Sequence, residues 1–271
     1  MNEFEPLPDE LAQALRAAAS RRRGLGGVVH FLSTTTSTND VAARLAEQGA
    51  AEGTVVVARA QTAGRGRLGR SWFSPADAGL YVSAIFRNKA AAPLLTLAAG
   101  VALADGIRAA TGLTVAIKWP NDVVVRAGSA TRQRQKLAGI LAEASTVADE
   151  IQFVVLGFGI NVREAAYPPE IAQRATSLEA ELGRPADVGR LLAETLAALN
   201  ERVTQLETGN RDGILNRWRA LACLRGVRVR CDAPGSVWSG MAEGIDDTGA
   251  LLVRVGDTVE RIVSGDVSFE I

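Results

Sequence analysis

"QTAGRGRLGRSW", residues 61–72, alternates Gly64, Gly66 and Gly69 with Arg65, Arg67 and Arg70 and ends on Trp72. The run fits G-x-G-x-x-G and nearly fits G-x-x-x-x-G-K-[ST], with Arg70 in place of the lysine. A Rossmann turn requires a helix after the third glycine and an acid about twenty residues on. Here "RSWFSPADAGLYV" follows, broken by Pro75 and Gly79, and position 89 is Lys. A phosphate-binding loop fails for the same reason, because it too needs a helix whose N-terminus caps the phosphates. Repeated RG tails bind single strands without order, but this run is one compact unit between two strands. Glycine lets backbone approach a ligand, and arginine supplies forked donors for phosphate or carboxylate. The expected element is an ordered loop that closes over an anionic ligand.

The elements on either side support a mixed sheet. "VVHFLS", "TVVVARA" and "GLYVSAIF" read as strands, and 37–49 as a helix with Ser37 or Thr38 as N-cap and Gly49 as stop. Residues 93–112 form a long apolar helix opened by Pro93 and closed by Gly112. "TVAIKWP", "NDVVV", "KLAGILAEAS" and "IQFVVLGFGINV" follow as successive strands, which favours antiparallel or mixed pairing. The polar "AGSATRQRQ" between two of them is an expected exposed loop. Helices are expected over 187–207 and then to about Leu221, and one over 9–23 that ends in a solvated arginine run. After Arg225 come short strands with Gly/Asp turns, a small β-barrel module of about fifty residues.

Composition narrows the function. The 271 residues carry thirty acids and thirty bases, so a broadly basic surface for duplex DNA is not expected. The span before the first strand is short; a winged helix needs roughly twice as much chain. Cys223 and Cys231 form no C-x-x-C pair, which suits a reducing, cytoplasmic setting without disulfides or zinc. No signal peptide is expected in the acidic "MNEFEPLPDE", and no apolar run of membrane-spanning length. His30 is the sole histidine and is expected to be structural, so chemistry rests on Arg, Lys, Asp, Asn and backbone.

Three further stretches could meet the glycine–arginine loop. "KWPND" (118–122) packs a cation, an aromatic, a turn proline, an amide and an acid together. "KLAGILAE" sets Lys136 at the start of a strand of small and apolar residues, and "GFGIN" (157–161) ends a strand with two glycines and Asn161. Singly these also read as a Pro-Asn-Asp turn, a strand-end lysine and a bulged strand. Together they offer donors for phosphates, an acid for a metal or an amine, and glycines where a flat ligand presses on backbone.

With "TTSTN" (35–39) and "ATSL" (175–178), the ordered set resembles the biotin–protein ligase family over about residues 29–271. Leu68 stands where some members carry another arginine, and the loop between Asp122 and Lys136 is longer than in many. The resemblance implies an α+β fold: a mixed sheet flanked by helices, like the class II aminoacyl-tRNA synthetase core, plus an SH3-like C-terminal barrel. It implies a helical extension at 1–27, a catalytic domain at 28–224 and the SH3-like domain at 225–271. It also implies that biotin and ATP, with Mg²⁺, give biotinyl-5′-AMP, whose acyl group passes to a lysine of biotin carboxyl carrier protein. DNA and membrane are not expected partners.

Residue by residue, the resemblance assigns biotin binding to Ser37, Thr38, Asn39, Gln61, Gly64, Arg65, Gly66, Arg67, Lys136, Gly139, Gly157 and Gly159. ATP binding falls to Arg67, Arg70, Trp72, Lys118, Asn121 and Asn161. Lys136, Asp122 and Arg67 are the catalytic candidates, with Asp122 either holding Mg²⁺ or positioning the acceptor amine. A lipoate–protein ligase shares the core but not these motifs. A biotin-sensing regulator would not need both Lys136 and Asp122.

Overall fold

The Val- and Ile-rich runs pair into two sheets in the computed structural model, which describes residues 4–89, 91–125, 134–233 and 235–270. Helices α1 (Asp9–Ala17) and α2 (Ala19–Arg22) precede β1 (Val29–Leu32), α3 (Thr38–Glu47), β2 (Val55–Ala58) and β3 (Gly79–Phe86). Then come α4 (Leu95–Thr111), β4 (Val115–Lys118), β5 (Asp122–Val125), β6 (Lys136–Val147) and β7 (Glu150–Asn161). Four helices follow: α5 (Pro169–Ala172), α6 (Leu178–Leu182), α7 (Val188–Glu207) and α8 (Arg211–Leu221). The C-terminal strands are β8 (Arg228–Ala233), β9 (Ser236–Ile245), β10 (Leu251–Val255), β11 (Thr258–Ile262) and β12 (Asp266–Phe269).

The first sheet runs β1-β2-β3-β7-β6-β5-β4, with β1 and β2 parallel and all other neighbours antiparallel. The second is antiparallel, β11-β10-β9-β8-β12. This is the expected fold class: a mixed sheet flanked by helices, with a small β-module after it.

Strand alternation sorts β7 between two faces. Leu156, Phe158 and Ile160 join the large core with α4 and α7, while Phe153 and Val155 join a smaller core under α3. Gly157 and Gly159 continue that second stripe beyond α3, where the sheet faces a cavity. They sit in unbroken register with β3 and β6, the one irregularity between β6 and β7 lying at Ser145/Thr146, so they mark no bulge.

Several expectations need correction. The 9–23 helix breaks at Ala18, and the arginine run is not wholly solvated. Arg22 is buried and donates to the carbonyls of Leu15, Leu25 and Gly26, closing the turn before β1. Residues 92–111 do have the length and hydropathy of a membrane span. Their apolar surface is explained by burial: Leu95, Val101, Leu103 and Ile107 are fully enclosed between the sheet and α7. Each such side chain contributes about 1.5–3 kcal/mol of burial energy. The last C-terminal run splits into β11 and β12 around Gly265, at φ 148°. Residues 126–133 of the expected polar loop lie outside the described residues.

Candidate active site

The glycine–arginine run is an ordered hairpin, not a helix-capped turn. Trp72 N–H donates to Gly64 O at 2.8 Å and Gly66 N–H to Arg70 O at 2.6 Å, with a tight turn over Arg67–Gly69 between them. Leu68 stands at φ 56° there, a conformation that costs an ordinary side chain energy and marks a turn held by its surroundings. A Cβ on Gly64 would stand 2.5 Å from Trp72 O and 2.7 Å from Ser74 Oγ, so only glycine closes the hairpin base.

The hairpin lies over a cavity of about 1410 Å³, larger than the roughly 300–1,000 Å³ of a pocket for one small ligand. Every residue named above as a binding or catalytic candidate lines it except Gly64, which sits in the hairpin base. His30 does not line it; its ring rests 4.0 Å from that of Phe4.

The floor is a stripe across three strands. Gly159 pairs with Gly139 on β6 and Tyr81 on β3, and Gly157 with Leu141 and Ser83. Period-two alternation points all of these positions to the cavity side. The indole of Trp72 lies directly on Gly159 and Gly139, where a Cβ would overlap the ring. Its Nε1 is buried against Gly159 and has no hydrogen-bond partner among the described residues.

One end of the cavity is polar and tightly bonded. Ser37 is the backbone N-cap of α3, yet its side chain makes no capping bond; instead Gln61 Oε1 accepts from Thr38 N–H at 2.8 Å. Gln61 Nε2 donates to Ser74 Oγ at 2.8 Å, and Ser74 Oγ to Trp72 O at 3.0 Å. Strand and loop partners thus replace the expected cap and fix the helix start against the hairpin.

The other end gathers cations. Lys136 Nζ lies 2.6 Å from Asp122 Oδ1 and 5.0 Å from the Trp72 ring centre. Lys118 Nζ and the Arg134 guanidinium stand 5.6 and 4.8 Å from the Phe269 ring centre. Burial pushes the Arg67 guanidinium down from the ordinary arginine range, while nearby Asp122 and Asp266 oppose that shift. Asn121 Nδ2 donates to Ile140 O at 2.7 Å and Asn161 Nδ2 to Thr176 O at 2.9 Å. Their amide nitrogens therefore hold backbone, and their oxygens are the atoms suited to a ligand or metal.

Sequence reasoning missed several cavity residues. Asp266, Phe269 and Gly265 come from β12 and its approach, and Arg134, Tyr167, Arg174 and Cys223 from connecting segments. Glu143 ends "KLAGILAE"; one strand period beyond Leu141, it shares the face of the cavity residues but stands beside the cavity, bounding a smaller pocket with Arg65–Gly69.

Residues 31–161 match the Biotin/lipoate A/B protein ligase family, and residues 225–270 match the Biotin protein ligase C terminal domain. The chain is 39% identical over 246 residues to a Biotin–[acetyl-CoA-carboxylase] ligase of Mycobacterium tuberculosis, covering 87% of this chain and 86% of the relative. It is 33% identical over 265 residues to the Bifunctional ligase/repressor BirA of Bacillus spizizenii, covering 96% and 79%. Its fold is similar to that of the biotin protein ligase from Aquifex aeolicus in complex with biotin and ATP. That match has a TM-score of 0.78 at 28% identity, covering 90% of this chain and 98% of the other. Motif order, cavity geometry, sequence relatives and fold agree, and the chain belongs to the biotin protein ligase family.

Proposed function

We propose that this protein joins biotin to a specific lysine of a biotin carboxyl carrier protein in two steps. In the first, a carboxylate oxygen of biotin attacks the α-phosphorus of ATP, giving biotinyl-5′-AMP and releasing pyrophosphate. The carboxylate is already ionised at neutral pH, so this step needs no base. The obstacle is charge: one anion must approach a polyphosphate. Arg67, Arg70 and Lys118 are assigned to the phosphates, and Lys136 to the biotin carboxylate and α-phosphate together.

The slot beside the Trp72 indole, which itself rests on Gly139 and Gly159, takes the fused rings, with Ser37, Thr38, Asn39, Gln61 and the backbone of Arg65–Arg67 at its polar end. Gly64 serves by closing the hairpin base. The oxygen donors of Asp122, Asn121 and Asn161 fit Mg²⁺ held mainly by ATP phosphates. The described residues hold no group of three His, Cys, Asp or Glu that could bind a metal unaided. Mg²⁺ there would offset phosphate charge.

In the second step the lysine ε-amine attacks the acyl carbon and AMP leaves. Asp122 is assigned to orient that amine and accept its proton. The hairpin excludes water from the labile anhydride meanwhile. The proposed division gives binding and chemistry to 28–224, after a helical extension at 1–27, and carrier docking or ATP handling to 225–271. The proposed setting is the cytosol, in keeping with free thiols at Cys223 and Cys231.

The observation that carries this reading is the convergence of Lys136, Arg67, Arg70 and Lys118 on the glycine-floored cavity. It is tested by mass spectrometry of a carrier domain incubated with protein, ATP, Mg²⁺ and biotin, with lipoate in a parallel tube. One added biotin on one lysine is expected. Modification by lipoate alone would overturn the assignment.

A further inference from the structure

Glu143 stands on the cavity face of β6, opposite Val155 of β7, and takes no part in the two steps above. Its Oε2 accepts two hydrogen bonds. One comes from Asn39 Nδ2 at 2.6 Å and the other from Arg65 Nη2 at 2.8 Å. Arg65 also reaches Asp40 Oδ1 at 2.8 Å, so the hairpin is tied to both α3 and β6 by one guanidinium.

Asn39 is buried, and its amide has no room to turn, because it lies directly on the Cα of Gly157. A carboxylate only accepts, so the amide nitrogen faces Glu143 and the oxygen faces the other way. There Asn39 Oδ1 accepts from Ser83 Oγ at 2.6 Å, and Ser83 Oγ is 2.8 Å from Thr38 Oγ1. With the Ser83 proton on Asn39 Oδ1, the single Thr38 hydroxyl proton closes the contact to Ser83, and the Thr38 backbone N–H holds Gln61 Oε1 at 2.8 Å. A set of hydrogen bonds thus runs from Glu143 through Asn39 and Ser83 to Thr38, with Leu141 O as a longer second acceptor for Asn39 Nδ2 at 3.5 Å, while Gln61 is oriented separately by the Thr38 backbone.

We infer that Glu143 is a positioning residue for recognition of a cyclic urea. It sets which atoms of Asn39 and, through Ser83, of Thr38 face the ligand as donors or acceptors, and it anchors the hairpin through Arg65 at the same point. The inference deepens the biotin-binding reading above and rests on it. The two bonds differ in strength. Asn39 is enclosed, so its charged hydrogen bond is the stronger one, whereas the half-exposed Arg65–Glu143 pair is weakened by water and salt.

Glu143→Gln is the decisive variant. It keeps the shape but offers both a donor and an acceptor, so only the long contact to Leu141 O is left to hold the direction. In biotin-dependent ATP–pyrophosphate exchange, KM for biotin rises about tenfold or more, as expected for one lost charged hydrogen bond, while kcat and KM for ATP stay within about threefold. Glu143→Asp, still acceptor-only, recovers part of the loss. In NMR spectra of the whole chain, the Asn39 side-chain amide protons shift when the carboxylate is replaced. An unchanged KM for biotin, or an unmoved Asn39 signal, overturns the inference. So does a fall of kcat and Tm with equal rises in KM for biotin and ATP, which is the signature of a purely structural residue. A wild-type protein that shows no biotin-dependent exchange defeats the ligase reading itself. An active enzyme indifferent to Glu143→Gln defeats only the role given to Glu143.

Discussion

Asp266 of the C-terminal sheet accepts a hydrogen bond from Arg70 of the glycine–arginine hairpin at 2.8 Å, across 196 residues of chain. Burial pushes the Asp266 carboxyl up, but the Arg70 hydrogen bond and the charges of Arg70, Lys118 and Lys136 hold it below the usual carboxylate range. Arg67 Nη1 reaches Gly265 O nearby, at 3.4 Å. The small β-module therefore places an anion among the cations assigned to ATP. Asp266→Asn removes that anion and raises the local positive potential. KM for ATP is expected to fall severalfold at low salt, with the difference shrinking as salt rises. The pair is well exposed, so stability should change by no more than about 1 kcal/mol.

Lys136→Met is expected to lower kcat/KM for adenylate formation by roughly a hundredfold or more, equivalent to about 3 kcal/mol of barrier. The substitution also leaves Asp122 without its partner at 2.6 Å, so acyl transfer should be measured separately with pre-formed adenylate. If transfer survives while pyrophosphate exchange is lost, Lys136 serves the first step alone.

Gly159→Ala tests the floor. The new methyl would overlap Trp72, approaching Cζ2 at 3.0 Å and Cε2 at 2.7 Å before any movement. Overpacking of this kind costs about 1–3 kcal/mol. The indole can move away from the sheet only into the slot assigned to the biotin rings. Biotin affinity by calorimetry should therefore fall more than the loss of Tm alone would suggest, and Trp72 fluorescence should change.

Asp246 governs an acid-sensitive turn in the C-terminal module. It accepts from Thr248 N–H, Thr248 Oγ1 and Ala250 N–H at 2.8, 2.7 and 3.0 Å, and from Arg261 Nε at 2.6 Å. Burial raises its pKa, but the bonds from Thr248, Arg261 and Ala250 win and bring it from 3.8 to about 2. The ionised form is thus favoured by folding. Its contribution is present in full above the unfolded value and fades as pH falls through about 2. Asp246→Asn should cost about 1 kcal/mol at pH 7 after allowance for solvent screening. The Tm values of variant and parent should converge as the pH approaches 2.

Much of the sheet was legible because β-branched runs and glycine or proline stops are local signals. The hairpin was legible by elimination, since Pro75 and Gly79 forbid the helix that both phosphate-loop readings require. What escaped depended on distance along the chain. Glu143 meets Asn39 across 104 residues and Arg67 meets Gly265 across 198, and no spacing rule connects such pairs. Arg22 escaped for a related reason: in sequence it is one of three adjacent arginines, and only the turn before β1 draws it inward. The 92–111 helix shows the opposite limit, because composition alone does not distinguish a lipid-facing helix from one enclosed by protein.

Trp119 Nε1 donates to Gly249 O at 3.0 Å, so the turn bearing Lys118 and Asp122 is bolted to the β-module. With Arg70–Asp266 as a further fastening, neither part can loosen without disturbing the other. Heating the intact chain in a calorimeter should accordingly give a single endotherm, the two folded parts melting as one cooperative body.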